Sequence, residues 1–464
     1  MFTSIRNWWR SQDPHCILVN VLAALIVFSA SSDINNINIG ISLGLGGAYV
    51  LYHCIKHRSL QVFYIPKEHL LGIVVFLGAV LLSSILIKDM GSIRVTGTYL
   101  YWTLPFFVIS WLGNLADIRY GAVAGGIISV LITGAFSYIL YYVLVHNFVQ
   151  PQKDVYLHIC QYLENHKSGL LAVLFSSIVF HMQGVFKLDG RIGAFDSTNP
   201  NFYGTLLIGT LPLLLFALRS AVLRKNKWLA GLDIAVLLLG CRALWVTGSR
   251  GAVAALFAGG LYILLVYTVV NKKIKVLLTG LALGVVCFGL ILNFGVSGRS
   301  LLKEDVQREC LLQSSYHMWL DHKLTGVGLA NWAPVYVKSY ILKEATRRDV
   351  SIGASHNAVA WFFSATGIIG GTGYLFFLLY YIVLLTWRIK QQPDSWMIYA
   401  GLWAFLAINL HGMVDMGIIL KQGARLLYLM LGLALTCPFG GAAGELPSGK
   451  TSQRAAVLTE HQGG

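Results

Sequence analysis

Charge is scarce in this chain: Asp, Glu, Lys and Arg make up 12% of its 464 residues, whereas 56% are hydrophobic. No polar stretch is long enough to hold a separate soluble domain. Metal-ligand patterns are missing as well. The seven cysteines form no CxxC and no Cys/His zinc spacing, and the two longest polar segments contain no DxD pair that would recruit magnesium. The apolar runs hold little ionisable beyond Asp233 and Arg242, each near a run's end. That argues against a transporter or channel, which places such groups at mid-membrane.

What is present is a series of apolar runs near the ~20 residues needed to cross a bilayer. They fall at roughly 16–32, 38–55, 69–87, 95–113, 120–145, 201–218, 229–247, 251–270, 275–295, 356–386, 396–414 and 424–437. These runs predict an all-α polytopic membrane protein of about twelve transmembrane helices, with residues 1–464 forming a single integral membrane domain. The stretch "SGLLAVLFSSIVF", 168–180, is apolar for only 13 residues and reads as re-entrant or interfacial. Charge placement supports that choice. With twelve spans and Arg6 and Arg10 inside, the cytoplasmic side holds 17 Lys and Arg against 6 in the short outer loops and span ends, as the positive-inside rule requires. A thirteenth span would throw "RSAVLRKNK" and "NKKIK" outside and destroy the bias. Both termini are therefore expected in the cytoplasm, with 438–464 as a cytoplasmic tail, and "RNWWR" before the first run reads as an uncleaved signal-anchor. The net charge of +15 is largely this topology signal, and no nucleic-acid partner is implied.

Two long segments, 146–200 and 296–355, fall on the outer side. The second is basic, with Arg299, Lys303, Arg308, Lys323, Lys338, Lys343, Arg347 and Arg348 against six carboxylates. It reads either as a solvated loop with salt bridges or as an attractor of an anionic ligand at the membrane surface. Cys160 and Cys310 share this compartment, where a disulfide is chemically possible.

Three polar islands lie on the same outer side. "RIGAFDSTNPNFYG", 191–204, ends in an Asn-Pro step that starts a helix, so Asn199 and Asn201 stand at its entry. They read as caps, whereas Arg191 beside them is suited to bidentate phosphate binding. In "TGSRGA", 247–252, the glycines permit a tight turn and Ser249 is expected to cap the following helix. Arg250 at that helix N-terminus makes an anion site. The third island runs from an amphipathic helix over Arg308–Leu320 to "ASHN", where His356 opens an apolar run of about 30 residues, longer than the hydrocarbon core is thick.

In this order, "RIGAFDSTNPN", "TGSRGA", "RECLLQSSYHMWLDHKLTGVGLANW", "SHN" and "TGIIGG", the chain resembles the lipopolysaccharide O-antigen ligases and their relatives, the O-antigen polymerases and bacterial O-oligosaccharyltransferases. The resemblance covers roughly 190–375. It implies a C-type glycosyltransferase fold in the bacterial inner membrane with its active site on the periplasmic side. It also implies transfer of a glycan from undecaprenyl pyrophosphate to the lipid A core oligosaccharide. The family's essential histidine falls on His356, and its phosphate-binding arginines on Arg191, Arg250 and Arg308. Where this chain reads "DHKLTGVG" the family usually has a proline. No cofactor is implied, and the oligomeric state, the O-unit and the accepting sugar stay open, as does the choice among ligase, polymerase and protein glycosylation.

The chemistry of the residues is compatible. Joining a hydroxyl to an anomeric carbon needs a base and a cation facing the departing pyrophosphate. His356 suits the base, and the arginines suit the cation without a metal. Asn199, Asn201, Ser249, His317 and Asn357 are the supporting candidates. His317, His181 and His322 compete with His356 and read as packed or solvated.

Overall fold

The computed structural model describes residues 13–32, 34, 36–140, 191–194, 199–294, 306–345, 353–415 and 417–436. The candidate re-entrant piece at 168–180, most of the 146–200 segment, residues 296–305 and 346–352, Cys160, Arg6 and Arg10, and the 438–464 tail lie outside these. The described residues form helices: α1 (Pro14–Ser32), α2 (Asn36–His57), α3 (Lys67–Ile87), α4 (Met90–Trp102), α5 (Leu104–Leu115), α6 (Arg119–Leu140), α7 (Pro200–Leu223), α8 (Lys227–Val246), α9 (Arg250–Asn271), α10 (Ile274–Phe294), α11 (Val306–Asp321), α12 (Ala358–Gln391), α13 (Trp396–His411) and α14 (Lys421–Thr436). The protein is an all-α, multi-pass membrane protein. A helix is what an apolar run must become in lipid, because it satisfies every backbone group within the segment.

Eight of these helices, α1, α2, α3, α6, α7, α8, α9 and α12, are long and apolar enough to cross a bilayer. The run expected to span 95–113 is instead two helices, α4 and α5, divided at Thr103. Pro105 is the reason: it has no N–H to give and its ring clashes with the carbonyl four residues back, so a new helix starts around it. The Thr103 hydroxyl donates to the Leu100 carbonyl at 2.7 Å and closes the first piece.

The centre of the bundle is made by two short apolar helices. α13 and α14 have 16 residues each, and every residue of α14 from Gln422 to Leu435 is buried. A helix that is apolar on all sides belongs inside protein rather than against lipid. α7 and α9 pack on α13, α5 on α14, α1 on α6, and α3 on α12. α11 takes the helical form expected of its mixed pattern, with Cys310, Leu311, Ser314, Ser315 and Met318 buried on one face, and it packs against α12.

α12 is broken. At Gly367 the backbone leaves the helix (φ 63°, ψ −162°), and the segment 323–328 fills the break. The Val327 and Gly328 amides donate to the Ser364 and Ala365 carbonyls at 3.0 and 2.8 Å, and the Ile368 amide donates to the Lys323 carbonyl at 2.8 Å. Backbone this close leaves no room for side chains. A Cβ on Gly367 would stand 2.2 Å from the Leu324 carbonyl oxygen, and one on Gly326 2.4 Å from the Ala365 carbonyl carbon. The glycines of "TGVG" and "TGIIGG" thus lock the 323–328 segment into the helix that begins just after His356. At the far end of α12, Arg388 Nη1 lies 2.6 Å from Nε2 of His69, in the first turn of α3.

Candidate functional site

α7, α9 and α12 begin, and α8 and α13 end, at one end of the bundle. Their loops converge on the buried carboxylate of Asp415, whose side chain is 2% exposed. Asp415 Oδ2 accepts from Asn201 Nδ2 and, at 3.1 Å, from Arg308 Nη2. Asp415 Oδ1 faces His356 Nδ1 at 3.7 Å, longer than a hydrogen bond. Asn201 in turn accepts from Arg191 Nη2, and Arg191 Nε donates to the Thr247 carbonyl at 2.7 Å. Arg191, Asn201, Arg308 and His356, four of the residues singled out in the sequence, therefore meet around a fifth that was not.

Burial alone would raise the Asp415 pKa, because a charge is costly out of water. The facing His356 and His411 and the Arg308 guanidinium outweigh it and hold the carboxyl well below the usual carboxylate range. His411, buried at the end of α13, pairs through Nδ1 with the Thr205 hydroxyl at 2.9 Å and sets Nε2 3.4 Å from the Ser249 hydroxyl.

The local sequence explains this convergence. Gly248 (φ +59°) makes the turn, and the Arg191 side chain lies across it, 3.2 Å from where a Cβ would stand. A Cβ on Gly251 would meet Val414 at 2.6 Å and the His411 ring at 3.1 Å. The glycines of "TGSRGA" are therefore spaces into which Arg191 and the 411–415 segment fit. Ser249 occupies the N-cap position of α9 but makes no cap hydrogen bond, which corrects the capping role expected of it; its hydroxyl is turned to His411. Arg250 is the first residue of α9 and lies between these two contacts in the chain.

His356 adopts φ 54°, a left-handed conformation uncommon for non-glycine residues and more accessible to His than to most. Its neighbours hold it. Asn357 caps α12 by accepting from the Ala360 amide at 2.9 Å and donates to the Met413 carbonyl at 2.8 Å. The Ala358 amide donates to the Gly412 carbonyl at 2.7 Å, and the Ser355 hydroxyl donates to the Asn357 carbonyl at 2.7 Å. "SHN" is thereby fastened to the 412–413 turn that carries Asp415. Asn199 caps α7, accepting from the Asn201 amide at 2.9 Å.

His317 is not brought to this cluster. It is exposed, with its ring tilted against that of Tyr316. Nine residues beyond Arg308 on the same helix place it about 13 Å along the axis and on the opposite face. His322 is also exposed, and His181 lies outside the described residues. The residues missed in the sequence are Asp415 and His411 of "HGMVD". Their signal was an ionisable pair four apart at the end of an apolar run, where such groups are rarely idle.

Among the described residues no three His, Cys, Asp or Glu side chains are grouped to hold a metal ion. No curated protein matches the chain. Residues 234–375, which contain Arg250, Arg308 and His356 but neither Arg191 nor Asp415, match the O-antigen ligase family. Over those residues the chain is similar to the O-antigen ligase family.

Proposed function

We propose that this protein transfers O-antigen polysaccharide from undecaprenyl pyrophosphate to a hydroxyl of the lipid A core oligosaccharide, at the periplasmic face of the inner membrane and without a metal. The observation that carries the reading is the Asp415-centred cluster. It sets His356 beside the Arg308 fork, and Arg191 beyond Asn201, at one end of a membrane bundle.

In this mechanism His356 takes the proton of the acceptor hydroxyl. The hydroxyl oxygen bonds to the anomeric carbon, and the bond from that carbon to the pyrophosphate oxygen breaks. Undecaprenyl pyrophosphate leaves with the electron pair. Asp415 beside Nδ1 favours the tautomer protonated there, so that Nε2 is the basic nitrogen, the arrangement by which a carboxylate orients a catalytic imidazole. Contacts of this kind are commonly long before substrate binds and tighten afterwards. Arg191, Arg250 and Arg308 stabilise charge on the departing pyrophosphate, and a planar guanidinium fork suits that task better than a point charge. Asn201 and Asp415 fix the orientation of two of these forks.

Purified full-length protein given undecaprenyl-pyrophosphate-linked O-antigen and rough lipopolysaccharide should extend the lipopolysaccharide, and should do so in excess EDTA. No product from intact donor and acceptor would sink the reading. Activity lost in EDTA and restored by magnesium or manganese would sink its metal-free part. Polymerisation of O-units, or transfer to protein, uses the same donor and the same residues. The identity of the molecule bearing the glycan after reaction separates the three.

A further inference from the structure

A groove of about 680 Å³ runs between α7, α9, α10 and α13 at the end of the bundle away from Asp415. Its walls are apolar, including Phe216, Leu256, Phe257, Leu264 and Trp403, with one charged side chain, Arg219. Gly259 and Gly260 let the Trp403 ring lie against α9, and its indole N–H donates to the Leu256 carbonyl at 2.8 Å, so the indole leaves no unpaired polar atom. At the rim Leu215, Leu261 and Val276 are exposed, as side chains facing lipid are. The volume falls within the range of sites that take small ligands.

Arg219 is the anomaly. It is only partly exposed, and among the described residues it forms no ion pair and no hydrogen bond. Its one electrostatic partner is the Tyr399 phenol, which Asp394 also reaches. At the same end of the bundle, just past α9, Lys273 sits over the Tyr267 ring at 5.9 Å, and Tyr267 lines the same groove. Phe216 and Tyr267 both pack on Tyr399. Arg219 stands nineteen residues into α7 from Pro200, about 28 Å along it. That puts the Arg219, Lys273 and aromatic group near the opposite membrane surface, where cations and aromatic rings meet lipid headgroups.

We infer that this groove binds an anionic glycerophospholipid of the membrane, with an acyl chain along its apolar walls and the phosphate against Arg219 and Lys273. A cation without a carboxylate at the mouth of an apolar slot is complementary to an anion carrying a hydrocarbon tail, and to no neutral lipid equally. The site is separate from the transfer cluster and does not depend on the transferase reading, only on the protein's place in a membrane.

The test is lipid retention by the purified full-length protein, read by native mass spectrometry in detergent with dioleoyl phosphatidylglycerol or dioleoyl phosphatidylcholine added. Phosphatidylglycerol should be retained in preference by about tenfold, the yield of one charge-assisted contact. Arg219→Gln should remove the preference while leaving the protein's thermal unfolding in lipid-free detergent unchanged, and Arg219→Lys should keep part of it. Gly284→Leu should lower retention of both lipids by filling the groove, since a Cβ there meets only ordinary contact, with Phe257 at 3.5 Å. Equal retention of the two lipids by the unaltered protein would overturn the proposal, as would a preference that survives Arg219→Gln. Displacement of phosphatidylglycerol by undecaprenyl phosphate at equal concentration would also overturn it, and would assign the groove to the polyprenyl donor.

Discussion

The two ends of the bundle handle buried charge in opposite ways. Around Asp415, Arg308, His356 and Asn201 converge on one carboxylate and Arg191 is tied in through Asn201. At the far end Arg388 meets a histidine, and Arg219 meets no carboxylate among the described residues. Mutual pairing offsets desolvation and sets orientation, so the first end is built for geometry. A cation with no carboxylate among the described residues leaves its attraction open to a ligand, which is the basis of the lipid site proposed for the second end.

The comparison breaks most severely at Asp415. Asp415→Ala leaves Arg308 and His356 without their shared partner, at a cost below the ~3–5 kcal/mol of a fully buried pair, because the Arg308 side chain is 34% exposed and water can take Asp415's place. Asp415→Asn keeps the volume and should preserve membrane insertion while transfer falls by about 10² to 10⁴. Unfolding and turnover measured on both variants separate the two effects. The depressed pKa of Asp415 adds a pH dependence with a fixed sign. Its contribution to stability is fully present above the usual carboxylate range and is lost only as pH falls through its lower folded value. Thermal unfolding between pH 5 and 8 should therefore show no loss that Asp415→Asn removes.

Next in size, Arg191→Ala should weaken donor binding and turnover together, by about 10- to 150-fold. Arg191→Lys should recover only part, because an ammonium cannot reach both the Thr247 carbonyl and Asn201 as the guanidinium does. Equal activity of the lysine variant would show that charge alone matters there.

A smaller effect is expected where the 323–328 segment enters α12. Gly367→Ala forces a side chain into a backbone region open essentially only to glycine (φ 63°, ψ −162°), a strain of roughly 1–3 kcal/mol, and against the Leu324 carbonyl besides. The melting temperature should fall, with transfer falling as the "SHN" segment loosens. An unchanged melting temperature would mean that the 323–328 segment does not lock the helix. The smallest effect belongs to His317→Ala, which should change transfer less than about threefold, as surface substitutions do. A large loss would return His317 to the site.

The division between what the sequence disclosed and what it did not follows the range of the forces involved. Span positions follow from hydropathy because lipid acts on each run separately, and α7, α9 and α12 begin within two residues of the expected starts. The break at Thr103 was also local, in Pro105, but a run apolar on both sides of it masked the signal. Arg191, Arg308 and His356 stood out as polar residues where few exist. Asp415 did not, since it follows directly on an apolar run and its importance lies in partners 59, 107 and 214 positions away. Gly326 and Gly367 depend on distant partners in the same way, each admitting another stretch of backbone.

The central claim is that His356 acts on the acceptor while the arginines act on the donor. It is tested most directly by measuring donor affinity and single-turnover transfer separately for His356→Gln in folded, membrane-inserted protein. The account predicts transfer lower by about 10² to 10⁴ with donor affinity within a few-fold of the unaltered protein. Near-normal transfer, or a loss of donor binding that accounts for the whole defect, would contradict it.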